Sequence, residues 1–280
     1  MKLLKRYPIT AFFVLAYAFG WIFSLPNILD QMKLLPSPLP PFLGPILFQL
    51  APAISALIVA GTTGGRTGRR ALLRRVVIWR VNPRWYVIAF GLPLLLQFVS
   101  IAAFVPLGGP APHLDPSALA LLILFPVFSC STMCEEIGWR GFALPRLQTR
   151  FNTLISATIV GVLWGFWHLP PTLPEFFQGT MSLQAFLLSI LLFVGISILI
   201  TWIFNNAKGS LLLTALFHTS YNAKSHFFPV IWQNSLFGPV LFYGVLVLVI
   251  AAIVVFLTRS ESLSHQGKRV QESATPASQV

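Results

Sequence analysis

Two adjacent carboxylates and an arginine, Glu135, Glu136 and Arg140, interrupt an apolar run at Cys134-Glu-Glu-Ile-Gly-Trp-Arg-Gly141. An ionisable group within a membrane segment costs about 2.5–3.5 kcal/mol on insertion scales, which makes such groups candidates for function. The chain holds seven acidic residues in 280, and two of them are neighbours here. On a helix, Glu136 and Arg140 share a face and can pair, whereas Glu135 points about 100° round toward another neighbour. The competing reading is structural, with both acids merely satisfying Arg140.

Two further polar groups stand out. Trp164-Gly-Phe-Trp-His168 places a histidine just ahead of Pro170 and Pro171, and alone it reads as part of an aromatic interfacial belt. His218-Thr-Ser-Tyr-Asn222 places histidine and asparagine four apart on one helix face, and alone it reads as a helix-to-helix hydrogen-bonding patch. Together, a carboxylate, two imidazoles and an amide on three helices are the parts for activating water and stabilising an oxyanion. In that chemistry Glu135 is the general base and His168 orients the same water or binds a metal. His218 and Asn222 then donate to the oxyanion of a peptide carbonyl. The alternative is a zinc site with Glu135, His168 and His218 as three ligands and water in the fourth position. No HExxH or other close two-histidine motif is present to support it.

Membrane helices must position these groups. The chain is 56% hydrophobic and 9% charged, against about 25% charged in ordinary soluble domains. Apolar runs of about 20 residues, the length that crosses a bilayer as a helix, recur between short polar breaks. The expected fold is all-α and polytopic, with eight spans at 8–28, 41–61, 85–107, 116–140, 153–169, 183–205, 210–222 and 236–258. Residues 1–115 form N-terminal helices with a basic cytoplasmic loop. Residues 116–258 form a core carrying the catalytic groups on its fourth, fifth and seventh spans, and 259–280 is a polar, disordered cytoplasmic tail. The seventh span is short and can continue past His226 toward Trp232. Pro93 and Pro126 fall inside spans, where kinks are tolerated. The basic N-terminus looks like a signal peptide, but its apolar run from Ile9 to Leu25 exceeds the about 7–15 residues of such a segment, so it reads as a retained span.

Charge sets the orientation. The formal net charge is +12, and in alternating topology all but two of the nineteen basic residues fall on one side. Positive loops stay in the cytoplasm, so both termini are expected inside, at a bacterial plasma membrane. The 64–84 stretch, with seven arginines, is the strongest anchor and attracts anionic lipid. No basic helix with interleaved aromatics stands apart from the spans, so a nucleic-acid partner is set aside. Cys130 and Cys134 have neither redox nor zinc-pair spacing and read as packing residues.

The ordered set Glu135-Glu136-x-x-x-Arg140, then Trp164 ahead of His168, then His218-x-x-x-Asn222, on polytopic helices, resembles the type II CAAX prenyl endopeptidase family. That family is also termed CPBP intramembrane metalloproteases and abortive-infection proteins. The resemblance covers 128–222, and the eight-span total is similar to eukaryotic members. It implies an intramembrane endopeptidase acting on a membrane-associated protein or peptide, prenylated or not. Glu135 and His168 then activate water, His218 and Asn222 form the oxyanion site, and Glu136 and Arg140 support them. The family label implies a metal, Zn2+ held by Glu135, His168 and His218, while a metal-free glutamate mechanism also fits the residues. One departure is Trp164, where the family often has phenylalanine; the expected consequence is for packing against His168 more than for chemistry.

Two other classes compete. Intramembrane Glu and His also build proton relays in transporters, though no repeated halves are visible. A non-catalytic membrane immunity or scaffold protein has no use for so costly a polar set. One tension is geometric. Counted from Pro116, Glu135 lies about 28 Å along its span, near the cytoplasmic face, whereas His168 lies about 22 Å above that face. For the two to meet, 141–152 is expected to dip into the membrane as a re-entrant or interfacial segment.

Overall fold

A computed structural model describes residues 2–40, 43–115, 129–228, 238–264, 267 and 269–270. The described residues form helices and connecting turns, without strands. A short α1 (Lys2–Arg6) leads into α2 (Pro8–Gln31), then α3 (Leu43–Arg74) and α4 (Arg84–Ala102). The run from 129 to 147 is α5, with a π-helical centre at Ile137–Ala143 and a last turn at Leu144–Leu147. After it come α6 (Thr153–Trp167), α7 (Leu169–Phe177), α8 (Leu183–Asn206), α9 (Leu211–Phe227) and α10 (Pro239–Thr258). In hydrocarbon every backbone N–H and C=O must be satisfied within its own segment, which makes uncharged apolar runs of this length helical. Asn152, Ser182 and Ser210 cap α6, α8 and α9 by accepting from a backbone N–H three residues on.

Five helices among the described residues are long and apolar enough to cross a membrane, or six when α6 and α7, bent by 47°, are taken as one. The chain is thus a polytopic helical membrane protein. The expected span 116–140 begins outside the described residues, as does Pro126, and so do 229–232 beyond the seventh span. That seventh span is α9, whose 17 residues reach about 25 Å, short of a ~30 Å hydrocarbon core. Pro93 does lie within α4. The arginine-rich stretch after residue 64 is not wholly loop. Gly65, at φ 58° and ψ −145°, breaks α3 in a conformation that side chains resist, and helix resumes to Arg74. The resumed part folds back, so that Arg69 Nε donates to Leu57 O at 3.2 Å.

The bundle pairs α2 with α3, α6 with α8, and α9 with α4, while α10 packs on α4 and α8. The π-helical centre of α5 packs on α3 and also touches α6 and α9. Glycine permits that approach: a Cβ at Gly138 would sit 2.5 Å from Pro52 Cβ, and one at Gly141 would sit 2.7 Å from a Leu72 methyl.

This packing resolves the geometric tension differently from expectation. Residues 135–148 are buried except for Arg146, and the helix continues beyond Arg140 to Leu147. The segment 141–148 does lie inside protein, as expected, but as helix rather than as a re-entrant loop; exposed backbone returns only at 149–151. Glu135 therefore stands roughly 18 Å from the Leu147 end of α5, and Trp164 roughly 16 Å from the Thr153 end of α6. The two are level.

The tail also departs from expectation. At the described residues 259–264, 267 and 269–270 the expected disorder does not hold, because buried amides grip the backbone there. Thr153 and Leu154, whose N–H groups open α6 and have no partner within it, donate to Glu261 O and Ser260 O at 3.2 and 3.0 Å. Asn205 Nδ2 donates to Ser262 O at 2.8 Å, and Asn205 Oδ1 accepts from Val270 N at 3.2 Å. Gln148 Nε2 donates to Val270 O at 3.0 Å, and Leu263 is fully buried. Residues 271–280 lie outside the described residues. Asn205→Ala removes both of its clasps, each worth about 1 kcal/mol net. Tryptic cleavage after Arg259 and Arg269 is expected to accelerate by about tenfold or more; an unchanged rate would show that the amide does not hold the tail.

Candidate active site

The site forms where α5, α6 and α9 meet. Thr132 and Thr219 share a hydroxyl hydrogen bond of 2.7 Å, which fixes the register of α5 against α9. From that register Glu136 Oε1 accepts from Arg140 NH1 on its own helix and from His218 Nδ1 on α9, each at 3.0 Å. Glu136 and Arg140 are fully buried, as their i,i+4 spacing allowed but did not require. Glu136 Oε2 and two of the Arg140 nitrogens have no hydrogen-bond partner among the described residues. Arg140 also lies over the Trp164 ring, with Cζ 4.8 Å from its centroid.

Glu135, 2% exposed, turns the other way. Its Oε2 accepts from Trp164 Nε1 at 2.8 Å. Trp164 lies one helical turn before His168, and its carbonyl is bonded to His168 Nδ1 at 2.9 Å. His168 sits at the joint between α6 and α7, where the helix bends by 47°. Pro170 and Pro171 impose that joint, since neither has an N–H to continue the ladder of α6. The imidazole stacks on Phe193 at 4.9 Å and meets the edges of Phe48 and Trp167. Glu135 and His218 are both within electrostatic reach of it.

The acceptors fix the tautomers. A backbone carbonyl only accepts, so His168 Nδ1 carries the proton and Nε2 presents a lone pair. An ionised Glu136 likewise draws the proton of neutral His218 to Nδ1, leaving Nε2 for chemistry. Both rings are held by one nitrogen and offer the other.

Of the residues singled out in the sequence, Glu135, Glu136, Arg140, Trp164, His168 and His218 are brought together. Asn222 is not joined to them. It lies one turn beyond His218 on the same face of α9, exposed, and no side-chain hydrogen bond is seen for it among the described residues. The expectation for Trp164 is revised, because its indole N–H bonds the carboxylate rather than serving only as packing. Equally unforeseen was Glu136 as the partner of His218 as well as of Arg140. The only sequence signal for either is that the residue could donate or accept.

A metal is a poorer fit. Histidines that donate Nδ1 to a carboxylate or carbonyl are oriented as metal-ligating histidines commonly are. Among the described residues, however, no three His, Cys, Asp or Glu side chains converge as a ligand set. Glu135, His168 and His218 do not form one as they stand, and no step below passes through a metal.

Comparison with known proteins finds relatives over the segment that carries this cluster. The chain is similar to the CAAX prenyl protease 2 of Methanococcus maripaludis, with 26% identity over 221 residues, 72% of this chain and 77% of that protein. Residues 116–224 match the family model described as type II CAAX prenyl endopeptidase Rce1-like. That stretch contains every residue of the site, so the expected resemblance is supported, and with it the reading of a membrane peptidase. Over 116–224 the chain is thus similar to the type II CAAX prenyl endopeptidases of the Rce1-like family, and the likeness, with the apolar helices, supports a peptidase of the membrane.

Proposed function

We propose that this chain hydrolyses a peptide bond of a membrane-associated protein or peptide with water activated by Glu135 and His168, and that His218 and Asn222 serve the oxyanion. The observation that carries the reading is the gathering of Glu135, His168 and His218, from three helices, around Trp164. The indole bonds Glu135 at 2.8 Å, and its ring lies 5.9 and 5.0 Å from the two imidazoles. Glu135 takes a proton from water, assisted by the Nε2 lone pair of His168. The resulting hydroxide attacks the peptide carbonyl carbon to form a tetrahedral oxyanion. His218, held through Nδ1 by Glu136, donates from Nε2 when its ring carries both protons, and Asn222 adds an amide N–H once a peptide lies along that face of α9. The proton on Glu135 passes to the amide nitrogen as the C–N bond breaks, leaving a carboxylate and an amine.

The reacting groups stand within the bundle rather than at its end, roughly 16 Å from the start of α6. We place that end in the cytoplasm, because the basic loops lie there. The name of the archaeal relative, CAAX prenyl protease 2, points to substrates bearing a prenylated CAAX motif. Internally quenched peptides with and without a prenylated cysteine, added to the protein in liposomes, test this reading. His168→Ala and His218→Ala are each expected to lower cleavage by about 100-fold or more, and cleavage at the wild-type rate in both would overturn the assignment. A chelator arm decides about zinc: loss of cleavage that zinc restores would assign Glu135, His168 and His218 as ligands, and persistence supports the carboxylate mechanism.

A further inference from the structure

Trp164 makes more contacts with the reacting groups than any of them makes with another. Its indole N–H donates to Glu135 Oε2 at 2.8 Å, and its carbonyl accepts from His168 Nδ1 at 2.9 Å. Its ring lies beneath the Arg140 guanidinium and edge-on to His218, at 4.8 and 5.0 Å. Packing alone accounts for the ring, which is 1% exposed, since any large aromatic would fill that volume. Packing does not account for the indole nitrogen, whose one hydrogen bond among the described residues goes to a carboxylate that is itself 2% exposed. Glu135 Oε1 has no such partner there. The carboxylate is thus gripped by one oxygen, which fixes its plane and leaves the second oxygen for water.

We propose that Trp164 is a positioning residue for Glu135: the indole N–H selects which carboxylate oxygen meets the water, while the same residue's carbonyl sets the His168 tautomer. This rests on the reading of Glu135 as the base. Trp164 itself need not touch substrate. Without the N–H, Oε2 is left buried and unpaired, and the carboxylate rotates to find another donor. Misplacement of a reacting group by about 1 Å costs about 100-fold in rate. The loss falls on kcat, because the indole does not hold substrate.

The test removes the N–H and keeps the ring. Replacement of Trp164 by benzothienylalanine, which puts sulfur in place of the N–H, is expected to lower kcat by about 10- to 100-fold with KM unchanged. Replacement by 4-fluorotryptophan retains the N–H and is expected to keep the wild-type kcat. A second readout does not depend on activity. The indole proton resonance assigned by its loss in Trp164→Phe is expected downfield in the wild type and displaced in Glu135→Ala, which removes the acceptor. Wild-type kcat in the benzothienylalanine protein, or an indole resonance indifferent to Glu135→Ala, would overturn the proposal. Failure of the active-site reading is distinguishable, since Glu135→Gln would then leave cleavage intact. Should Glu135→Gln abolish cleavage while the sulfur analogue does not impair it, only the role of Trp164 is lost.

Discussion

Glu135→Gln is expected to lower kcat/KM for peptide cleavage by about 1,000-fold while leaving the melting temperature in detergent close to that of the wild type. The two halves of this expectation have separate causes. An amide oxygen still accepts from Trp164 Nε1, so the 2.8 Å hydrogen bond and the packing around it can persist. An amide cannot take a proton from water, so the general-base contribution, about 100- to 10,000-fold in typical enzymes, is lost. Positioning and oxyanion stabilisation remain, and some activity should survive with them. Steady-state cleavage of the quenched peptide, with a melt on the same preparation, measures both. A variant retaining more than about a tenth of wild-type kcat/KM would remove Glu135 from the mechanism.

Arg140→Met should have the largest effect on stability. Arg140 is fully buried and bonded to an equally buried Glu136. Removing one member of a buried ion pair strands the other, at a cost of about 3–5 kcal/mol. In this chain the stranded carboxylate is also the group that holds His218 Nδ1, so the site is expected to loosen along with the fold. The double variant Glu136→Gln with Arg140→Met removes both charges and should recover most of the lost stability, because replacing a whole buried pair is often neutral. Melting curves of the single and double variants decide this. A single variant within about 1 kcal/mol of wild type would mean that Arg140 compensates little. The unpartnered Glu136 Oε2 and Arg140 nitrogens already indicate that the pair is not optimised for stability alone.

What the sequence disclosed depended on the range of the interaction. Glu136 with Arg140 was legible because helical periodicity alone puts residues four apart on one face. The bend at His168 was not drawn from the sequence, although the two prolines that follow it carry its signal. The indole donation to Glu135 was not legible, since Trp164 reaches a residue 29 positions away only through the register of α5 against α6. His218 and Glu136 are 82 positions apart and depend in the same way on α5 against α9. The depth of the site was misjudged for a specific reason. An arginine at the end of an apolar run signals the water-facing end of its helix, where its charge costs least. With Glu136 beside it and Trp164 beneath it, Arg140 stays inside, and the helix runs on to Leu147. The tail was misjudged similarly: its polar composition signalled disorder, whereas the amides of Gln148, Asn205 and Asn206 supply partners that composition cannot reveal.

Those amides also bear on the order of events at the ribosome. Gln148 bonds a residue 122 positions later, and Asn205 bonds one 57 positions later. At about 5–20 residues per second, Gln148 waits roughly 6–25 s for Val270 to be synthesised. Once α9 is made, in the last part of that interval, the helices carrying Glu135, His168 and His218 can already lie together, while Gln148, Thr153, Leu154 and Asn205 keep polar groups whose partners Ser260, Glu261, Ser262 and Val270 are still to come. The nascent protein therefore has its reacting groups in place before that end is sealed, and a ribosome that stops after Thr258 releases a chain with α1 to α10 but no clasp.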